Sequence, residues 1–105
     1  MTIRTRKVKS GDVRRLTNME ARQLARDIHP GWNIKSKALH RTFLFPNFRN
    51  AMQFANKIAV IADRENHHPN LLISYGKVIV ELSTHSVSGL SEKDFSLAQH
   101  IEQIK

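Results

Sequence analysis

The sequence contains no cysteine. A disulfide framework and a thiolate metal centre are therefore excluded, and the absence fits a reducing compartment. No apolar run approaches the roughly 20 residues that cross a bilayer, so no membrane association is expected. The leading residues, MTIRTRKVKSGDVRRL, carry no apolar stretch, and no secretory signal is expected in them. There is no internal repeat and no low-complexity tract. Acid is scarce, with 9 Asp and Glu against 17 Lys and Arg, a formal net charge of +8. The shortage is local: six of the basic residues but only Asp12 among the acids fall in the first fifteen positions.

A length of 105 residues is one domain's worth. With 40% apolar residues it supports one modest core, and chains this short bury a small share of their surface. A partner subunit would help, so an oligomer is expected. Residues 1–15 read as a basic, flexible arm and residues 16–105 as the folded domain. A basic arm attracts nucleic acid, but a solvated terminus explains it more simply, and no nucleic-acid partner is expected. The arm, Arg-rich and almost free of acid, leaves organellar targeting open beside a cytoplasmic location.

Thr17 and Glu20 have capping-box spacing and predict a helix from there to about Ile28, stopped by His29-Pro30-Gly31. A short strand over Trp32 to Ile34, a turn at Lys35-Ser36-Lys37 and a second strand from Leu39 to Phe45 follow. Asn47 caps the next helix, whose stripe is Phe48, Ala51, Met52, Ala55, Ile58, Ala59 and Ala62, widened by Phe54 and Ile61. That helix ends before Pro69, which puts His68 at or beyond its end. Leu71 to Tyr75 and Lys77 to Thr84 form two strands around Gly76, with Val78, Val80, Leu82 and Thr84 on one face. A last helix starts near Ser91, with Ser91 and Asp94 as capping box and Leu90 and Phe95 as staple; Phe95, Ala98, Ile101 and Ile104 face inward. The order α-β-β-α-β-β-α predicts an α+β fold, a four-stranded antiparallel sheet with three helices on one face.

Three of the six histidines, His67, His68 and His85, fall within nineteen residues, with Asp63 and Glu65 just upstream of the doublet. Histidine moves protons near neutral pH. Adjacent helical residues do not share a face, so the doublet converges on one ligand only where the helix stops, as Pro69 suggests. A helix end and the strand end at His85 would then border one pocket. Imidazoles with a carboxylate also suit zinc or iron, but the spacing follows no His-Glu-x-x-His pattern, and no metal is expected. Ser74, Ser83, Thr84 and Ser86 are possible nucleophiles without a nucleophile elbow. Any one histidine alone is explained as a backbone cap or polar filler. Asp94 is explained by its helix start, and Asp63 and Glu65 by a solvated helix face. Trp32 is either core or a stacking surface for a flat ring. His29 and His40 read as surface or turn residues, and His100 as exposed.

The run Asp63-Arg64-Glu65-Asn66-His67-His68-Pro69, then Tyr75, Val78, Leu82-Ser83-Thr84-His85, Gly89-Leu90-Ser91 and Asp94, closely resembles the pterin-4a-carbinolamine dehydratases. Gly31-Trp32-Asn33 and Phe43-x-Phe45 match as well, so the resemblance covers Pro30 to Ile104 and leaves out the arm. It implies a four-stranded antiparallel sheet with three helices and assembly into dimers or tetramers. It also implies dehydration of 4a-hydroxytetrahydrobiopterin to the quinonoid dihydropterin, in recycling of the cofactor of aromatic amino acid hydroxylases, with no metal or organic cofactor. His67, His68 and His85 become the catalytic candidates. Asp63, Asn66, the histidines, Ser83, Thr84, Ser86 and Trp32 become the substrate-binding ones, with Asp94 as cap or support. Asp63 stands where the family often has glutamate and is one methylene shorter. Some relatives also serve as a dimerisation cofactor of a homeodomain transcription factor, which makes a protein-interaction module the alternative.

Overall fold

The computed structural model describes residues 13–105. Most of the basic arm thus lies outside the described residues. Its last two basic residues do not: Arg14 pairs with Glu20, and the next residue but one, Leu16, donates its N–H to the Leu90 carbonyl at 2.8 Å.

Helix α1 is Asn18–Ala25. The Thr17 hydroxyl accepts the Glu20 N–H, and the Glu20 carboxylate accepts the Thr17 N–H, which completes the capping box. The helix stops three residues before the expected Ile28. The Arg26 and Asp27 N–H groups bond to Gln23 and Leu24, a tightened last turn. Strand β1 (Asn33–Lys35) and strand β2 (Ala38–Leu44) form a hairpin through Ser36 and Lys37. Helix α2 (Phe48–Glu65) starts on the Asn47 side chain. Strands β3 (Asn70–Ser74) and β4 (Lys77–Leu82) form the second hairpin. A 3₁₀ turn at His85–Val87 leads to helix α3 (Glu92–Glu102). The expected last residue of the β4 region, Thr84, lies just past the strand in a bridge to Gly89.

All pairings are antiparallel and the strand order is β1-β2-β4-β3. This is the α+β architecture expected from the element order. Leu39, Val78, Val80 and Leu82 are buried on the helix side, as their period-two alternation requires. Helix α2 presents Ala51, Phe54, Ala55, Ile58 and Ala62 to the sheet. Two members of the expected stripe, Phe48 and Ala59, are exposed instead. Burial begins one turn into the helix, and Ala59 lies about 100° around it from Ile58. Leu97, absent from the expected inward set, is buried beside Phe95, Ala98 and Ile101.

Phe54 packs at 4.6 Å from Phe43 and 5.1 Å from Phe45, and Trp32 meets Phe43 edge-on at 6.2 Å. Tilted and edge contacts of this kind add about 0.5–1.5 kcal/mol each beyond area burial. Gly76 sits in the β3–β4 turn as expected, but its φ is not positive. Close approach is what requires glycine there. Its carbonyl accepts the Phe45 N–H at 2.8 Å, and a Cβ would lie 2.9 Å from the Phe45 carbonyl oxygen. Among the described residues, no helix is long and apolar enough to cross a membrane.

Candidate active site

The end of α2 determines where the histidine doublet goes. Asn66 adopts the left-handed conformation, φ 51° and ψ 43°. Its N–H bonds to the Asp63 carbonyl and the His67 N–H to the Ala62 carbonyl. These are the two bonds of a Schellman closure, and asparagine tolerates the left-handed geometry better than most residues. The chain leaves the helix here, and the two imidazoles separate. His67 turns inward and is 8% exposed, while His68 stays at the surface.

His67 meets a buried carboxylate. Its Nε2 lies 2.6 Å from Oδ1 of Asp94, which is fully buried. The other oxygen, Oδ2, accepts the Thr84 hydroxyl at 2.8 Å and the Ser91 N–H at 3.0 Å. The one hydroxyl proton of Thr84 is thereby used, so the Ser91 hydroxyl, 2.7 Å away, donates to Thr84. The Ser91 oxygen in turn accepts the Lys93 N–H at 3.2 Å. Every member of this buried network is satisfied, which is the condition for such a network to stabilise the fold. Asp94 therefore does two things. One oxygen closes the capping box of α3 and the other orients His67. With the carboxylate accepting, Nε2 carries a proton, and Nδ1 is the nitrogen left to exchange one.

His68 places its Nε2 2.9 Å from Oδ1 of Asp63. Both side chains are exposed, so this pair is worth little to stability. The shorter Asp63 therefore reaches the doublet itself. His85 opens the 3₁₀ turn directly after Thr84 and is exposed, and among the described residues its ring makes no hydrogen bond. Thr84 exchanges backbone hydrogen bonds with Gly89, at 2.8 and 3.4 Å, which closes the loop that carries His85. Ser83 is half-buried, and Ser86 and Asn66 are exposed. The connection His67–Asp94–Thr84, continuing along the chain to His85, brings the α2 end and the β4 end to one place.

Trp32 stands apart from this network. It is 4% exposed and its indole N–H donates to Glu102 at 2.9 Å. Arg41 also binds Glu102, at 2.7 Å, and lies over the Phe43 ring. Gly31 leaves room for it, since a Cβ there would lie 2.3 Å from the guanidinium. Trp32 is thus a core residue tied to the end of α3, and its expected place among the substrate contacts is not carried forward.

Two other histidines differ from expectation. His100 is half-buried and paired with Glu65 across α3 and α2. Glu65 is accordingly an interhelix partner rather than a solvated charge. His40 is half-buried on β2 beside Glu81, at 3.6 Å. Both depend on which residues the fold brings opposite each other. His29 is a turn residue as expected, and its Nδ1 accepts the Gly31 N–H. Among the described residues no group of three or more His, Asp and Glu is disposed to hold a metal ion.

Comparison with known proteins points the same way. A family model described as pterin 4 alpha carbinolamine dehydratase matches residues 14–104. A Sulfurisphaera tokodaii protein with the provisional name pterin-4-alpha-carbinolamine dehydratase is 40% identical, over 88% of this chain and 98% of its own length. A Rickettsia canadensis protein with the same provisional name is 45% identical, over 88% and 85%. The crystal structure of a transcriptional coactivator/pterin dehydratase from Brucella melitensis superposes with a TM-score of 0.79 at 33% identity, covering 84% of this chain and 95% of that one. The match takes in the α2 end, the Thr84–His85 step and the α3 cap together, and the chain belongs to the pterin-4a-carbinolamine dehydratase family.

Proposed function

We propose that this chain is a dehydratase that converts 4a-hydroxytetrahydrobiopterin, or a closely related pterin-4a-carbinolamine, to the quinonoid dihydropterin and water, in tetrahydrobiopterin recycling in the cytoplasm. The observation that carries the proposal is the buried Asp94–His67 pair, hydrogen-bonded through Thr84 to the segment that bears His85. The C4a–O bond breaks, the adjacent ring nitrogen supplies the electrons of the new C=N bond, the departing hydroxide is protonated and a ring N–H loses its proton. His67 or His85 donates to the hydroxyl, and His68 accepts the second proton or holds the ring. General acid–base catalysis of this kind contributes about 10²–10⁴ in rate. A carbinolamine already tends to lose water, so that is sufficient without a metal or organic cofactor. Asp63, Asn66, Ser83 and Ser86 are the polar groups proposed to meet the pterin. The Thr84 hydroxyl is committed to Asp94, so its part is to hold the carboxylate. The intact set of His67, His68 and His85 argues against a non-catalytic interaction module on the same fold.

The test is quinonoid product formation by the purified full-length protein, with and without chelator. Replacing His67, His68 and His85 together by alanine is expected to lower the rate by about 10²–10⁴. A folded triple variant that dehydrates the carbinolamine at the wild-type rate would sink the assignment.

A further inference from the structure

A second feature lies away from the histidines. A cleft of about 630 Å³ opens between the start of α1, the β1–β2 hairpin and the Gly89–Leu90 segment. Small-molecule sites fall within about 300–1,000 Å³. Leu16, Ile34 and Leu90 give it an apolar lining, and Arg15, Arg22 and Lys37 supply three cations. Among the described residues, no Asp or Glu lines it. Among the described residues, none of the three cations is ion-paired. Glu20, on the same helix, is already engaged by Arg14 and the Thr17 N–H.

Backbone features at the cleft accommodate two of the cations. Lys37 is the second residue of a two-residue hairpin turn with φ 63°, following Ser36 at φ 51°. Turns of that geometry favour Asn-Gly, because glycine adopts a positive φ without steric cost. A lysine there accepts backbone strain and places a cation at the cleft. Arg15 lies against the α-carbon of Gly89, where a Cβ would be 2.9 Å from its Cδ and 3.2 Å from its Cγ. The absence of a side chain at Gly89 lets the arginine stem lie there.

We propose that this cleft binds a small molecule bearing a phosphate or carboxylate group, with Arg15, Arg22 and Lys37 as its charge partners and the apolar lining beneath the rest. Two sources supply that chemistry: an anionic substituent on the pterin itself, or a separate phosphate ligand. Gly89, a lining residue, exchanges backbone hydrogen bonds with Thr84, so occupancy would be felt at the loop that carries His85.

The experiment is titration calorimetry on the full-length protein with pyrophosphate, 7,8-dihydroneopterin monophosphate and 7,8-dihydroneopterin. Wild-type protein is compared with Arg15→Ala, Arg22→Ala and Lys37→Gly. Each variant is expected to weaken the phosphorylated probes about tenfold, with affinity falling as salt rises. Lys37→Gly is expected to keep or raise the thermal midpoint, since glycine relieves the turn; this separates lost binding from lost folding. Tighter binding of the monophosphate than of dihydroneopterin, abolished in the variants, assigns the cleft to the pterin's substituent. Pyrophosphate binding without that preference assigns it to a separate ligand. No binding at low salt, or equal affinity in wild type and all three variants, overturns the proposal. If pyrophosphate binds and neither pterin probe does, the cleft stands and the pterin reading falls instead.

Discussion

Asp94 shows how one side chain serves both folding and chemistry. Its Oδ2 belongs to the start of α3 and its Oδ1 to His67. Asp94→Asn keeps the size but turns one oxygen into an N–H₂ donor, which cannot accept from every present partner. Loss of a supporting contact of this kind costs about 10–100-fold in activity, so a fall of that order in kcat is expected, measured beside circular dichroism to establish folding. Ser91→Ala removes the cap oxygen and leaves the Asp94–His67 contact. It is expected to cost about 1 kcal/mol of stability with a far smaller change in kcat. Equal losses of kcat in the two variants would reduce Asp94 to a cap. The capping role of Asp94 was legible from the Ser91-x-x-Asp94 spacing. Its second partner was not, because His67 lies 27 positions earlier and reaches it only through packing.

Two helix ends are held by local hydrogen bonds whose loss can be measured. At the start of α1, Arg14 forms two hydrogen bonds to Glu20, at 3.0 and 2.7 Å, while Glu20 also accepts the Thr17 N–H. The bond from Arg14, foremost, and that from Thr17 hold the Glu20 carboxyl down at about 2, against an ordinary 4.5. A depressed folded-state value means stability that is complete above the ordinary value and lost as pH falls towards about 2. Wild type is therefore expected to exceed Glu20→Gln in thermal midpoint at neutral pH, and the gap should close between about pH 4.5 and 2. A gap unchanged down to pH 2 would assign it to something other than the charge. At the end of α2, Asn66 sits at positive φ. Asn66→Gly is expected to be neutral or slightly stabilising, whereas Asn66→Ala should cost about 1 kcal/mol by denaturant titration. Since this residue turns the chain towards His67, a lower kcat in the alanine variant is expected to accompany the loss.

At the scale of the whole molecule, the sheet is covered on one face only among the described residues. Leu44, Leu72 and Tyr75 remain 78%, 60% and 72% exposed, and among the described residues β3 is paired along one edge alone. An open strand edge beside exposed apolar side chains favours pairing with another copy. A homodimer or homotetramer is accordingly expected in light scattering of the purified protein, and a monomer at tens of micromolar would contradict it. Inside the molecule, Glu102 joins three distant parts of the chain: Trp32 after the α1 turn, Arg41 on β2 and the end of α3. That junction gives Trp32 to the core, a choice its residue type left open.

Local physics determined much of this protein directly from sequence. Caps at Thr17, Asn47 and Ser91, the stop before Pro69 and the period-two burial of Val78, Val80 and Leu82 each depend on residues a few positions apart. They are therefore visible along the chain. Why Gly76 must be glycine, and the pairings of His67 with Asp94 and of His100 with Glu65, were decided only by tertiary structure. Each depends on atoms far apart in sequence that close packing brings within bonding distance, and no local pattern records such a meeting.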